Sequence, residues 1–340
     1  MKHNTTIRVA INGFGRIGRS TIKALMKKRN ISVVAINDLT DTATLAHLLQ
    51  HDTSYHQYDK SVKARKDALL VDGKTIKVLA QKDPAKLPWK RLKIDVVLEC
   101  TGRFRTKQEA GLHIKAGAKA VVISAPAKGG EVPTVLLGVN PKNHHGKSVI
   151  NMGSCTTNSV APIMRVLHEK FGIKKSMMTT VHSYTADQNL QDGPHSDLRR
   201  ARAAAANIVP TSTGAAIATT EAIPELKGKF DGMAVRVPTV VVSLSDFTIL
   251  LKQKVTVEQI NRALINASKH PFYKGILGVS DEPLVSSDYI GNEYSTIVDL
   301  ELTKVVDGDL VKVVAWYDNE WAYSHRLAEM AVTAARATKQ

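Results

Sequence analysis

A glycine-rich segment near the start of this 340-residue chain constrains its fold more than any other feature. The segment Gly13-Phe14-Gly15-Arg16-Ile17-Gly18 follows an alternating apolar run, Thr6 to Asn12, which is typical of a β-strand. Apolar residues then recur at helical spacing as far as Met26. A second strand-like run, Ser32 to Asn37, comes next and is followed at once by Asp38. The order strand, glycine loop, helix, strand predicts the first βαβ unit of a doubly wound sheet.

Each glycine of this loop has a separate function in a dinucleotide-binding turn. Gly13 permits the tight turn, Gly15 lets the backbone approach a pyrophosphate, and Gly18 allows the helix to pack on the sheet. The N-terminus of the helix then faces the phosphates. Asp38 can accept hydrogen bonds from an adenosine ribose, and its charge repels a 2′-phosphate. The sequence therefore predicts an NAD site, with NAD favoured over NADP.

Further strand-like runs alternate with helical segments such as Thr106–Ala116 as far as about residue 150. Alternation of this kind predicts an α/β, Rossmann-type domain with a parallel sheet. The predicted strands are Thr75–Ala80, Asp95–Cys100, Ala120–Ser124 and Thr134–Val139.

Longer strands with short connections follow a predicted helix from about Thr156 to Phe171, which favours an α+β domain with a mostly antiparallel sheet. We expect an NAD-binding domain over 1–154 and a second domain over 155–319. A C-terminal helix within 320–340, from Glu320 to about Thr338, is expected to pack back on the NAD-binding domain. The predicted strands of the second domain are Gly232–Lys252, Thr296–Leu300 and Leu310–Tyr317.

Composition limits the compartment and the partners. Two cysteines cannot form a disulfide framework, which favours a reducing, cytoplasmic location. The first six residues carry no apolar signal-peptide core, and no apolar run is long enough to span a membrane. The net charge of +16 favours anionic metabolites, yet the basic residues are spread along the chain. No dedicated nucleic-acid module is therefore expected, and a nucleic-acid- or surface-binding role stays secondary.

Cys155 is the candidate nucleophile. It lies in Ser154-Cys155-Thr156-Thr157-Asn158, at the predicted junction of a strand and a helix. Backbone N–H groups and the helix dipole at such a junction favour thiolate over thiol. His182 follows downstream and could pair with the sulfur, which indicates acyl chemistry through a thioester. The alternative is a buried structural cysteine, which is the ordinary fate of a lone cysteine.

Several segments together resemble the phosphorylating glyceraldehyde-3-phosphate dehydrogenases, in the order of that family and over essentially the whole chain. These segments are Ile11–Arg19, Ser154–Asn158, Leu198–Arg202 and Trp316–Trp321. The resemblance implies that Cys155 attacks an aldehyde and that His182 accepts the proton. The product would be a thioester that inorganic phosphate converts to 1,3-bisphosphoglycerate. It also implies a homotetramer.

The resemblance further implies two anion sites and a set of cofactor contacts, and no metal ligands. Thr185 and Arg236 match the substrate-phosphate site, where Asp187 is expected to orient the guanidinium of Arg236. The inorganic-phosphate site would use Ser154, Thr156, Arg200, Thr213 and Gly214. The cofactor contacts would be Gly13, Phe14, Gly15, Arg16, Ile17, Asp38, Lys82, Thr101, Gly102, Ser124 and Asn319.

The chain departs from the family pattern at several places, among them Lys82, the segment 48–55, Ser159 and Ala322. Ser159 stands where many relatives have a second cysteine, which removes the possibility of a disulfide with Cys155. Ala322 stands where glycine is usual, so a strained backbone is expected if that position has a positive φ. The nearest alternative activity is that of an erythrose-4-phosphate dehydrogenase, whose thioester is hydrolysed.

Overall fold

The structure, a computed structural model, describes residues 6–337 in two compact units. The first unit runs to Val135, resumes over Pro141–Gly153 and takes up the C-terminal residues from Ser324. The second comprises Leu136–Asn140 and Ser154–Tyr323. The expectation that the chain has no signal peptide concerned the first six residues, of which only Thr6 lies within the described range.

The first unit contains three helices before its C-terminal segment: α1 (Arg16–Met26), α2 (Thr42–Gln50) and α3 (Lys107–Lys115). Its strands are β1 (Ile7–Asn12), β2 (Ile31–Asn37), β3 (His51–Asp52), β4 (His56–Gln57), β5 (Val62–Arg65), β6 (Ala68–Val71), β7 (Lys74–Leu79), β8 (Val96–Glu99), β9 (Ala120–Ile123) and β10 (Val149–Asn151). Eight of them form one sheet in the order β10-β9-β8-β1-β2-β7-β6-β5.

The strand order reverses at β1, which pairs in parallel with β2 on one side and with β8 on the other. In doubly wound sheets, ligands bind outside the carboxyl ends of the strands at this reversal point. Asn12 ends β1 and Glu99 ends β8, and the two residues are register partners. The glycine loop begins at Gly13, directly after Asn12. The predicted Rossmann-type fold is therefore confirmed.

Two details of the first sheet differ from the prediction. The sheet is not wholly parallel, because β5, β6 and β7 form an antiparallel edge. Thr134–Val139 is not a strand; only Thr134 makes an isolated bridge, to Asn151. The side chain of Asn140 accepts a hydrogen bond from the Leu136 N–H, and Gly138 has φ +75°, so the chain turns instead of extending.

The second unit contains α4 (Cys155–Phe171), α5 (Ala215–Ala222) and α6 (Val257–Lys269). A seven-stranded sheet has the order β12-β13-β11-β14-β17-β16-β15. These strands are β11 (Ile173–Ser183), β12 (Val209–Ser212), β13 (Phe230–Val237), β14 (Ser243–Leu251), β15 (Leu277–Ser280), β16 (Thr296–Val306) and β17 (Leu310–Tyr317). The last helix, α7 (Trp321–Ala337), follows, and the predicted end at Thr338 lies outside the described residues.

The second sheet is mostly antiparallel, as predicted; β11 with β13 and β15 with β16 are its parallel pairs. The predicted long strand Gly232–Lys252 is two strands, β13 and β14. Pro238 follows β13 directly and has no N–H for the ladder, and Val242 has φ 73°, so the chain cannot continue extended. The predicted strand Thr296–Leu300 is longer than expected, because β16 continues to Val306.

The helix that begins at Cys155 is held by the core of the second unit. Ile163 and Leu167 on α4 are fully buried, as are Phe247 and Ile249 on β14, and all four belong to one apolar cluster. Burying side chains of this size contributes about 1.5–3 kcal/mol each. The position of Cys155 is thus fixed by apolar packing further along its own helix.

Two of the family departures are accommodated without strain. Ala322 lies in α7 and is helical and buried, so the expectation of a strained positive φ there is wrong. Ser159 is fully buried in α4 and its hydroxyl donates to Thr296 Oγ1 at 3.2 Å.

Among residues 6–337, none of the helices combines the length and apolar character needed to cross a bilayer.

Candidate active site

Cys155 is the first residue of α4, directly after the N-cap Ser154. The Thr157 N–H donates to Ser154 Oγ at 3.1 Å, and the Ser154 N–H donates to Thr157 Oγ1 at 3.1 Å. This capping box stabilises the first helical turn. The Ser154 hydroxyl, predicted to bind phosphate, is therefore already bonded within the helix cap.

His182 lies near the end of β11, and its Nε2 is 3.5 Å from the Cys155 Sγ. The other ring nitrogen, Nδ1, lies 2.7 Å from the Ser183 carbonyl oxygen. A carbonyl oxygen can only accept, and this contact is shorter than the 3.1 Å between Nδ1 and Arg236 Nη1, which can only donate. The shorter contact favours a proton on Nδ1, with the lone pair of Nε2 facing the sulfur. The predicted cysteine–histidine pair thus has the geometry of a nucleophile and its base.

Arg236 lies beside this pair because of sheet register. β13 runs parallel to β11, and Arg236 is the register partner of His182. Its Nη1 donates to the Ser183 carbonyl at 3.1 Å and to Thr185 Oγ1 at 3.3 Å. The structure therefore groups Thr185 and Arg236 with the pair. The expected orienting role of Asp187 toward Arg236 is wrong, since the carboxylate of Asp187 bonds the guanidinium of Arg200 instead.

The electrostatics of the pair differ from the sequence-based expectation. Burial of the thiol raises the pKa of Cys155, although the charge of Arg236 and hydrogen bonds from Thr156 oppose the rise. Burial, aided by the charges of Arg236 and Arg200, lowers the pKa of His182 to about 3. The expected preference for thiolate is therefore not found, because desolvation outweighs the field of the helix start. At neutral pH both shifts favour a neutral thiol and a neutral imidazole.

Tyr317 is a structural member of the site that the sequence did not reveal. Its hydroxyl lies 2.9 Å from Thr156 Oγ1 and 2.9 Å from Thr180 Oγ1, so it ties the start of α4 to β11. Its ring meets the His182 ring edge-on at a centroid distance of 6.0 Å. The only signal was its place in the Trp316–Trp321 segment. Thr156, expected to bind phosphate, is thus buried and bonded to Tyr317.

The second predicted anion site is built around Arg200. Its Nε donates to Thr211 Oγ1 at 3.0 Å, and its Nη2 donates to the Ser212 carbonyl at 3.1 Å. Thr213 and Gly214 follow in the chain, and Gly214 is the N-cap of α5. Because the charge of Arg200 lowers the pKa of His182, Arg200 lies within electrostatic range of the histidine.

Asn319 is buried in the second unit, two residues after β17. Its Oδ1 accepts hydrogen bonds from Ser183 Oγ at 3.0 Å and from Ser243 Oγ at 3.1 Å. Two hydroxyls therefore fix the orientation of the amide that the family resemblance assigns to the nicotinamide.

A cavity of about 590 Å³ in the first unit opens at the carboxyl ends of the strands. Gly13, Gly15, Asp38, Lys82 and Thr101 line it, as predicted for cofactor contacts. Five other predicted cofactor contacts do not line this cavity: Phe14, Arg16, Ile17, Gly102 and Ser124. The sequence did not indicate the other lining residues, which are Asn12, Asn37, Leu39, Gln81, Cys100, Arg103 and Phe104. Asn12 and Asn37 could have been inferred, because each of them ends a parallel strand.

The glycine loop fits a dinucleotide. A Cβ on Gly13 would lie 2.7 Å from the Thr101 backbone nitrogen, and a Cβ on Gly18 would collide with the Gly13 carbonyl oxygen. At Gly15 the same position meets no atom within 4 Å, which leaves the open space that a pyrophosphate needs. The Phe14 N–H donates to Asp38 Oδ2 at 2.7 Å and orients that carboxylate toward the loop. Each carboxylate oxygen keeps capacity for a ribose hydroxyl.

Two predicted residues have other roles than expected. The guanidinium of Arg16 forms a salt bridge with Asp52, with 2.6 Å between Nη1 and Oδ2. Cys100, expected to be a buried strand residue without a role, follows β8 and lines the cavity. Burial raises the pKa of Cys100 to about 12, so its thiol is unreactive at neutral pH.

The doubly wound unit and its glycine loop define an NAD-dependent oxidoreductase. Residues 7–107 match the family model described as the NAD binding domain of glyceraldehyde 3-phosphate dehydrogenase, and residues 154–319 match that of its C-terminal domain. The chain belongs to the glyceraldehyde-3-phosphate dehydrogenase family.

Curated relatives resemble the chain over nearly its full length. A glyceraldehyde-3-phosphate dehydrogenase of Geobacillus stearothermophilus is 53% identical over 330 residues, covering 96% of this chain and 97% of the relative. That of Thermotoga maritima is 54% identical, covering 95% of this chain and 97% of the relative. That of Borreliella burgdorferi is 52% identical, covering 96% of this chain and 98% of the relative.

We expect Arg236→Gln to slow alkylation of Cys155 by iodoacetamide at pH 8. The positive charge of Arg236 lowers the pKa of the thiol, so its removal raises that pKa and reduces the thiolate fraction. Because the thiolate is the reacting form, we expect alkylation to be slower by roughly three- to tenfold. Arg165→Gln is the control, ten residues further along α4 and about 15 Å away. Equal rates for the two variants would show that Arg236 does not act on the sulfur.

We expect Asp38→Ala to narrow the preference for NAD over NADP in kcat/KM, by weakening NAD and admitting the 2′-phosphate. The reason is that the carboxylate both accepts from the ribose and repels a phosphate. Asp41→Asn, three residues further along the chain, controls for the loss of a neighbouring negative charge. Equal use of both cofactors by the unmodified protein would contradict this assignment of Asp38.

Proposed function

We propose that this chain oxidises glyceraldehyde 3-phosphate with NAD and inorganic phosphate to 1,3-bisphosphoglycerate, a step of glycolysis and gluconeogenesis. The observation that carries the proposal is the 3.5 Å contact between the Cys155 Sγ and the His182 Nε2, with Arg236 beside it. The relatives named glyceraldehyde-3-phosphate dehydrogenase support the same activity.

The first step is attack of the sulfur on the aldehyde carbon. Because both groups start neutral, His182 Nε2 accepts the thiol proton as the carbon–sulfur bond forms and passes it to the former aldehyde oxygen, which gives a thiohemiacetal and a neutral imidazole. The Ser183 carbonyl accepts from Nδ1–H and so stabilises the imidazolium that forms. Desolvation, which favours the neutral pair, also makes the attacking sulfur more reactive toward carbon once its proton has been removed.

Oxidation then leaves a thioester on Cys155. When bound, NAD supplies the hydride acceptor for this oxidation. His182 takes the hydroxyl proton of the thiohemiacetal, and the Cys155 N–H at the start of α4 donates to the carbonyl oxygen. Inorganic phosphate next attacks the thioester carbon, the sulfur leaves, and the thiol regains a proton from His182. The acyl phosphate retains the free energy of the oxidation.

The two phosphate groups are assigned to two arginines. Arg236 and Thr185, which already share a hydrogen bond at 3.3 Å, would hold the phosphate of the sugar. Arg200, with Thr213 and Gly214 at the start of α5, would hold the attacking phosphate. Asp187 now bonds the guanidinium of Arg200, so an incoming phosphate has to share or displace that carboxylate.

We also propose a cytoplasmic homotetramer. Both cysteines are free thiols, which is consistent with a reducing compartment. The second unit exposes large apolar side chains around one surface groove, including Met177 at 61% and Ile217 at 67% exposure. Exposed apolar patches of this kind are suited to contact with further copies of the chain.

The activity is tested by NADH formation from glyceraldehyde 3-phosphate with and without inorganic phosphate, and from erythrose 4-phosphate in parallel. We expect turnover of glyceraldehyde 3-phosphate to depend on phosphate. His182→Asn should slow hydride transfer by roughly 10²–10⁴, the usual effect of losing a general base. The control His145→Asn changes an exposed histidine and should retain activity. Faster, phosphate-independent oxidation of erythrose 4-phosphate would overturn the substrate assignment.

A further inference from the structure

A fully buried polar cluster lies in the first unit where β1 and β8 end. Glu99 is 1% exposed and His113 is 0% exposed. Glu99 Oε2 accepts from Asn12 Nδ2 at 2.5 Å, and Oε1 accepts from the Thr101 N–H at 2.8 Å and from the Thr101 hydroxyl. A buried carboxylate is stable only when donors surround it in this way. None of the steps proposed above uses Glu99.

Trp89 fixes the direction of the remaining hydrogen bond. Its indole N–H donates to His113 Nδ1 at 2.9 Å, and an indole can only donate. His113 therefore carries its proton on Nε2 and donates it to Glu99 Oε2 at 3.1 Å. In this tautomer Glu99 accepts four hydrogen bonds, one from Asn12, one from His113 and two from Thr101.

The Thr101 end of this cluster touches the glycine loop. A Cβ on Gly13 would lie 2.7 Å from the Thr101 nitrogen and 2.8 Å from the Cys100 carbonyl carbon. The glycine turn therefore packs directly on the Cys100–Thr101 peptide, whose N–H bonds Glu99. On the other strand, Asn12 immediately precedes Gly13. Glu99 thus contacts both neighbours of the turn, one on each side of the crevice where dinucleotides bind.

We propose that Glu99 is a positioning residue for the dinucleotide: it holds the ends of β1 and β8 together and fixes the glycine turn for the pyrophosphate and the nicotinamide half of NAD. Asp38, which is assigned to the adenosine ribose, follows β2 on the opposite side of β1. Replacing Glu99 is therefore expected to weaken binding of the part of NAD on the β8 side of the crevice, more than binding of the adenosine. This inference rests on the proposed binding of NAD. It does not depend on which sugar phosphate the protein oxidises.

The test compares NAD and AMP affinity of the cofactor-free protein by calorimetry. In Glu99→Gln the amide nitrogen faces the donors of Asn12 or Thr101, because no orientation of the amide accepts all four bonds. We expect the Kd for NAD to rise about tenfold, equivalent to about 1.4 kcal/mol, and the Kd for AMP to change less than threefold. Asp95→Asn is the matched control, since Asp95 precedes the opposite end of β8 and bonds Arg8 and Lys119.

A second variant tests the hydrogen-bond direction. Trp89→Phe removes the indole donor, so His113 can move its proton to Nδ1 and accept from an amide at position 99. We therefore expect Trp89→Phe to restore part of the NAD affinity lost in Glu99→Gln, although Trp89→Phe alone should not tighten NAD binding. A general loss of stability predicts the opposite, because the second substitution removes further core volume.

Three results would overturn the proposal: an NAD Kd within twofold of the unmodified protein, equal losses of NAD and AMP affinity, or the same loss in Asp95→Asn. If Glu99→Gln does not fold, Glu99→Asp replaces it. The shorter side chain keeps the charge yet cannot reach Asn12 and Thr101 together, so the same selective loss is expected. The alkylation rate of Cys155 in the cofactor-free protein serves as a check on the second unit and should not change.

Discussion

The contact between the Cys155 sulfur and the His182 ring is the interaction on which the proposed chemistry depends, and it joins the start of α4 to β11. The parallel pairing of β11 with β13 places Arg236 opposite His182, while the packing of α4 on the core of its unit brings Cys155 to the ring. Tyr317 ties the helix start to β11 through Thr156 and Thr180. Desolvation favours the neutral form of both partners.

Both units use the same physical device, in which a buried hydrogen-bond network fixes a group that must meet a ligand. Around His182, the Ser183 carbonyl decides which ring nitrogen faces the sulfur. Under the glycine loop, Trp89 decides which nitrogen of His113 faces Glu99. In each case a partner that can only accept or only donate favours one tautomer of the histidine. That tautomer determines whether the other ring nitrogen accepts from, or donates to, the neighbouring Cys155 or Glu99.

The features predicted correctly from sequence are those encoded by neighbouring residues. The glycine loop, the first βαβ unit and the helix start at Ser154-Cys155 need only local spacing, and the fold class and NAD-binding domain follow from them. Contacts between distant residues were less accessible. Asp187 bonds Arg200, whose guanidinium also bonds Thr211 and Ser212 of β12, and no spacing rule shows that. The raised pKa of Cys155 was missed since burial depends on tertiary packing, whereas the helix start is visible in the sequence.

The neutral resting state of the pair is the central claim, and direct titration of the Cys155 thiol tests it. In a Cys100→Ser background, the ultraviolet absorbance of the thiolate can be followed with pH in the cofactor-free protein, with Cys155→Ser as the blank. We expect the thiolate of Cys155 to appear only above the ordinary cysteine pKa of about 8.5, and no titration of His182 between pH 5 and 8, since its pKa is about 3. A thiolate already formed near pH 6, with a protonated His182, would show an ion pair at rest and contradict the account.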